Sequence, residues 1–118
     1  NGDSMLRLRQ TLDEYFPGRP FILVFGASAD KELDAMFREI LPHVERVIAT
    51  QSQHPRAADP QELAARMAPY QVPVQAISPA EAALAQALEL AGNDKGIIVT
   101  GSIFIAAAIR AIWNSRRK

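Results

Sequence analysis

GIIVTGSIFIAAAIRAIW, residues 96–113, joins an uncharged, β-branched run to an alanine-rich apolar stretch, with only Gly101 and Ser102 between them. Residues 96–101 have the composition of a buried strand. Residues 102 to about 114 are apolar almost all round, as in a helix packed deep within a molecule. Working outward, FILVFG at residues 21–26 has the same character. Both runs are continuously apolar rather than alternating, which suits a parallel sheet covered on both faces. Two shorter runs, RVIAT at 46–50 and VPVQAI at 72–77, complete four predicted strands.

Helical patterns fill the intervals. Leu33, Met36, Phe37, Ile40 and Leu41 recur at helical spacing within residues 30–41. Asp59-Pro60-Gln61-Glu62 and Ser78-Pro79-Ala80-Glu81 each offer a capping residue, proline at the first helical position and glutamate three after the cap. Gly92 closes the second of these helices. An opening helix over residues 4–15 buries Met5, Leu8 and Leu12, with Phe16 at its margin. Arg116-Arg117-Lys118 complements the negative end of the last helix and forms a solvated tail. Strands alternating with helices predict a three-layer α/β domain with right-handed crossovers. Residues 51–58 are the longest polar loop.

Composition sets the outer limits. The chain has 118 residues, 48% of them apolar, enough to bury a core within one domain. Thirteen basic and thirteen acidic side chains balance to zero, so binding of nucleic acid or an anionic membrane by bulk electrostatics is not expected. Any anion site must be local. With no cysteine, disulfides, thiolate nucleophiles and cysteine-ligated metals are excluded. His43 and His54 make no metal motif, and no metal site is expected. No signal peptide or run of about 20 apolar residues occurs, and the expected location is the cytoplasm. Asn1-Gly2-Asp3-Ser4 lacks an initiator methionine and reads as the end of a loop already under way, so we expect a piece of a longer chain.

In a parallel sheet the loops that follow the strands share one edge, and ligands bind there. Residues 26–31, 50–56 and 101–102 fall on that edge. Lys31, read as lying in the first turn of its helix, faces the positive end of the dipole, where a cation is disfavoured by roughly 0.3–1 kcal/mol. A bound carboxylate or phosphate reverses that sign; otherwise Lys31 reaches into water while Asp30 caps the helix. Ser102 can cap its helix, and the same free N–H groups can hold an anion. Arg56 is either a bidentate donor to a carboxylate or phosphate or a surface partner of Asp59. His54, just before Pro55, either contacts a ligand or is an exposed loop residue, and His43 reads as structural. No P-loop, no G-x-G-x-x-G fingerprint and no nucleophile with an adjacent base is present. The chain has parts for holding an anion and lacks parts for activating one.

FILVFGASADKELDAMF (21–37), VIATQSQHPRAADPQELA (47–64) and residues 96–113 together resemble the C-terminal domain of the folylpolyglutamate synthases, a family that includes bifunctional dihydrofolate synthases and is related to the Mur ligases. Asp30-Lys31, Pro55-Arg56-Ala57 and Gly101-Ser102-x-Phe104 carry the resemblance, by order and spacing over nearly the whole chain. It implies a single domain, 1–118, with the mostly parallel, Rossmann-like α/β/α sheet of a Mur ligase C-terminal domain. It also implies an ATP- and Mg²⁺-dependent ligase that joins L-glutamate to a folate through an acyl-phosphate. Nucleotide and metal would be held mainly by an N-terminal ATPase domain of the same chain, and the isolated domain would be inactive.

By the same resemblance Lys31 would contact glutamate or a transferred phosphoryl oxygen, with Asp30 orienting it. Gly101 and Ser102 would receive a glutamate carboxylate. Arg56 sits in the matching loop without an assigned partner. Asn1 either ends the family's nucleotide-facing Asp-Gly-Ala-His-Asn motif or coincides with it by chance. Glu32 stands where the family often has Asp, and Ala107-Ala108 replaces a more polar pair. Dihydrofolate synthase activity, alone or in addition, and a stand-alone module binding a small anion or a partner are the alternative functions. Self-association through a sheet edge is a further expectation.

Overall fold

The two continuous apolar runs become neighbouring strands at the centre of the molecule. The structure is a computed structural model, and it describes residues 2–29, 32–101, 110, 111 and 114, with side chains from residue 5 onward. The strands are β1 (Phe21–Gly26), β2 (Arg46–Ala49), β3 (Val74–Ala76) and β4 (Gly96–Gly101). They form one sheet in the order β3-β2-β1-β4, and every pair is parallel. β1 pairs with β4 along its whole length, from Phe21 opposite Gly96 to Gly26 opposite Gly101. All six residues of β1 are buried, as its uninterrupted apolar sequence requires of a central strand covered on both faces.

The helices α1 (Gly2–Tyr15), α2 (Leu33–Ile40), α3 (Pro60–Met67) and α4 (Ala80–Ala91) divide between the two faces. Strand residues alternate in direction, so Phe21, Leu23 and Phe25 pack with Met5 of α1, Leu33 and Phe37 of α2, and Leu63 and Met67 of α3. Ile22, Val24 and Ile48 point the other way, onto Ala80, Ala83, Leu84 and Ala87 of α4. The small side chains of α4 let its backbone lie close to the sheet. Edge-to-face ring contacts run from Phe25 to Phe37 at 5.4 Å and on to Tyr70 at 5.9 Å. This is the three-layer α/β/α architecture that the sequence predicts.

Several boundaries differ from expectation. The second helix starts at Leu33, with Glu32 as its N-cap and no side-chain cap. Asp30 is therefore not the capping residue, and Lys31 precedes the first turn rather than lying in it. The helix ends at Ile40 because Pro42 lacks an N–H, and Leu41–His43 tighten into a 3₁₀ turn that places His43 at its end. Asp59 caps α3 as expected, its carboxylate accepting the Gln61 N–H at 2.8 Å. Ser78 does not cap α4: Pro79, extended at ψ 178°, is the N-cap, follows a cis peptide bond, and leaves Ala80 as the first helical residue. β3 is shorter than the run 72–77, since Pro73 cannot donate to the ladder.

Leu8 and Leu12 are half-buried beside Met5, whereas Phe16 keeps 45% of its surface, edge-on to Phe21. The predicted last helix falls mostly outside the described residues; Arg110, Ala111 and Asn114 are helical.

Candidate functional site

Strand order decides where a ligand can enter. From β1 the chain steps outward to β2 and β3, with α2 and α3 on one face. It then returns through α4 on the opposite face and lays β4 on the other side of β1. The direction of winding reverses between β1 and β4, and in open sheets of this kind that switch point at the carboxyl edge is where ligands bind. On the β1 side the described chain continues past Gly26 to Ala29, and on the β4 side it reaches Gly101. Lys31, Asp30, Ser102 and Asn1 themselves lie outside the described residues; Ala29 and Glu32 on one side and Gly101 on the other are described.

Gly101 shows why the end of β4 is built as it is. Its φ is +119°, a region that side-chain-bearing residues rarely adopt. A Cβ there would collide with the Gly26 carbonyl oxygen, stand 3.0 Å from the Gly26 carbonyl carbon and touch the Phe25 ring at 3.1 Å. The two strands thus end in a glycine pair with bare backbone at the switch point of the sheet. Such a surface permits close approach of a ligand to main-chain groups.

The polar loop 51–58 does not simply pass over the surface. It folds back onto the continuation of β1 through an antiparallel bridge between Ser28 and Ala57. The Ala29 N–H donates to the Arg56 carbonyl at 2.9 Å, and the Ala58 N–H to the Ala27 carbonyl at 2.8 Å. The exposed Arg56 is consequently carried, by its backbone, beside the loop that leads to Lys31. Within the turn, Arg56 N–H donates to His54 Nδ1 at 3.1 Å, Ala57 N–H to the His54 carbonyl at 3.0 Å, and His54 N–H to Ser52 Oγ at 3.2 Å. His54 is half-buried rather than exposed and organises the turn, with its ring proton assigned to Nε2 because Nδ1 accepts. The Asp59 carboxylate, one alternative partner for Arg56, accepts from the start of α3.

Thr50, placed by the sequence on the ligand edge without a role of its own, is a buried residue of that edge. It follows β2 at the same carboxyl edge, is fully buried, and its N–H donates to the Phe25 carbonyl at 2.9 Å. Its hydroxyl has no hydrogen-bond partner, the one such buried side-chain atom among the described residues. At the end of an apolar run it reads simply as a strand terminus. Among the described residues no cluster of three or more His, Asp or Glu could hold a metal ion, and no helix is long and apolar enough to cross a membrane.

The fold has counterparts in solved structures. Mycobacterium tuberculosis folylpolyglutamate synthase complexed with ADP superposes with a TM-score of 0.88 at 27% identity, covering 96% of this chain. Folylpolyglutamate synthase from Thermotoga maritima matches at 0.83 and 27% identity over 98%. Escherichia coli FolC in complex with DHPP and ADP gives 0.89 over 100% of the chain, but at 17% identity shares only the fold. This chain spans 28%, 26% and 28% of the length of these three proteins. No curated protein matches it in sequence. Residues 1–103 match the family described as Mur ligase, glutamate ligase domain, and the chain belongs to that family.

Proposed function

We propose that this chain is the glutamate-binding C-terminal domain of a folylpolyglutamate synthase, one domain over residues 1–118, working in the cytoplasm beside an N-terminal ATPase domain of the same polypeptide. The observation that carries this reading is the reversal of winding between β1 and β4. It puts the carboxyl ends of β1 and β4 next to each other, and the resemblance assigns the segments that follow them, Asp30-Lys31 and Gly101-Ser102, to one amino-acid site. The likeness to the Mycobacterium tuberculosis and Thermotoga maritima enzymes at 27% identity adds support.

In the reaction, the amine of glutamate attacks the carbonyl carbon of a folyl acyl-phosphate. An amide bond forms, the C–O bond to phosphate breaks with its electron pair on the leaving oxygen, and the nitrogen gives up a proton. Positioning is the contribution of this domain. Ser102 and the backbone at Gly101 hold a glutamate carboxylate, Lys31 neutralises a second carboxylate or a phosphoryl oxygen, and Asp30 orients Lys31. Arg56 adds positive charge at the same edge. By the resemblance, ATP and Mg²⁺ are held mainly by the partner domain, and Asn1 is the nucleotide-facing candidate in this chain.

The test is steady-state kinetics of the two-domain polypeptide. Lys31→Ala and Ser102→Ala are expected to raise the KM for glutamate about tenfold or more while leaving that for ATP near wild type. Unchanged glutamate kinetics in both variants would remove the assignment.

A further inference from the structure

The loop after β2 fixes its own course with two side-chain acceptors in succession. Ser52 Oγ accepts the His54 N–H at 3.2 Å, and His54 Nδ1 accepts the Arg56 N–H at 3.1 Å. Each bond reaches the amide two residues on, the pattern in which serine and asparagine side chains stand in for a backbone acceptor in a turn. Histidine can take the asparagine part because Nδ1, like the asparagine Oδ1, is bonded to Cγ. A third bond, from the Ala57 N–H to the His54 carbonyl at 3.0 Å, closes a four-residue turn. Pro55 occupies its second position, where the fixed φ of proline is favoured. His54 thus accepts through both its ring and its carbonyl.

This turn is tied to the loop after β1. The Ala29 N–H donates to the Arg56 carbonyl at 2.9 Å, and the Ala58 N–H to the Ala27 carbonyl at 2.8 Å. The Arg56 backbone is therefore held at its N–H by His54 and at its carbonyl by Ala29. Ala29 immediately precedes Asp30-Lys31 in the chain. One imidazole nitrogen so anchors the turn that carries Arg56, and that turn in turn anchors the segment leading to Lys31. We propose that His54 is a positioning residue of the amino-acid site, acting through the Arg56 backbone on both cation-bearing segments without touching substrate. Its effect on glutamate rests on the ligase reading above; the positioning itself does not.

Two amide substitutions separate this role from direct contact through the other ring nitrogen, since His54 also lines a hollow of about 580 Å³ with Ser78 and Pro79. His54→Asn keeps an acceptor at the place of Nδ1, His54→Gln puts its amide near the place of Nε2, and His54→Leu has neither. Amide hydrogen exchange of the ¹⁵N-labelled 118-residue chain is read at Arg56 and Ala29. It is expected to quicken roughly fivefold in His54→Leu and His54→Gln, the factor that one ordinary hydrogen bond represents, and to stay near wild type in His54→Asn. Long-range ¹H–¹⁵N correlation of the wild-type ring is expected to place its proton on Nε2. A proton on Nδ1, equal exchange in all three variants, or protection kept by His54→Gln and lost by His54→Asn overturns the proposal. In the two-domain polypeptide, His54→Leu and His54→Gln are expected to raise KM for glutamate about fivefold, with His54→Asn and the KM for ATP near wild type. Glutamate KM preserved by His54→Gln and not by His54→Asn assigns direct contact through Nε2 and overturns the positioning role. Absence of any glutamate transfer by the wild type removes the ligase reading, and the exchange data then decide the positioning.

Discussion

Gly101→Ala isolates the feature that shapes the switch point between β1 and β4. Two effects add at this position. A side chain at φ +119° carries strain on the order of 1–3 kcal/mol. The new Cβ must also push the Gly26 carbonyl away, which stretches the final rung of the β1–β4 ladder. Losing that rung removes about 1 kcal/mol more. A smaller gain of roughly 0.4–1 kcal/mol, from stiffening the unfolded chain, offsets part of this. The net expectation is a loss of about 2–3 kcal/mol, a large share of the roughly 5–15 kcal/mol of a folded domain.

Gly18→Ala is the matching control. Its φ is +72° but nothing lies within 4 Å of the added Cβ, so only the backbone strain is felt. It should lose about 1 kcal/mol or less. Urea denaturation of the 118-residue chain, followed by circular dichroism, measures both. Gly101→Ala should unfold at clearly lower denaturant than Gly18→Ala, with an unchanged slope. Equal midpoints for the two variants would refute the close approach of β4 to Gly26.

Leu63→Ala empties a fully buried position between α3 and the sheet and should destabilise the chain by about 2–5 kcal/mol in the same assay. Asp59→Ala leaves the Gln61 N–H without its acceptor and should lower stability by about 0.5–2 kcal/mol, whereas Asp59→Asn should retain most of it. The exposed Lys95–Glu45 pair, 2.8 Å apart, should show a coupling of about 1 kcal/mol or less in a double-mutant cycle, fading at high salt.

What the sequence disclosed follows from range. The uncharged runs at 21–26 and 96–101 announced buried parallel strands because burial on both faces leaves no room for alternation. Asp59-Pro60 announced a helix start because cap and proline act within one turn. Strand order was not legible, since it depends on which side of β1 the chain returns to after α4. The fold-back of residues 51–58 was hidden for the same reason: the Ser28–Ala57 bridge joins residues far apart in sequence and uses backbone groups that every residue carries. Ser78 misled because its motif matched a capping signal, while Pro79 adopts an extended backbone one residue later than a helix start requires. Thr50 was readable as part of the ligand edge, but its burial was not, because that depends on how the strands are ordered. The candidate site was readable only as residue types expected on one edge, and the pairing of β1 with β4, which makes the ends of those two strands neighbours, was not.

The central claim is that this domain helps deliver glutamate to a folate. The direct measurement is transfer of labelled L-glutamate to a tetrahydrofolate acceptor by the polypeptide joining this domain to its ATPase domain, with ATP and Mg²⁺ present. The account predicts ATP-dependent formation of folates lengthened by glutamate, abolished when residues 1–118 are removed. Transfer that persists without residues 1–118, or ATP-dependent ligation of a different amino acid with glutamate inert, would contradict it.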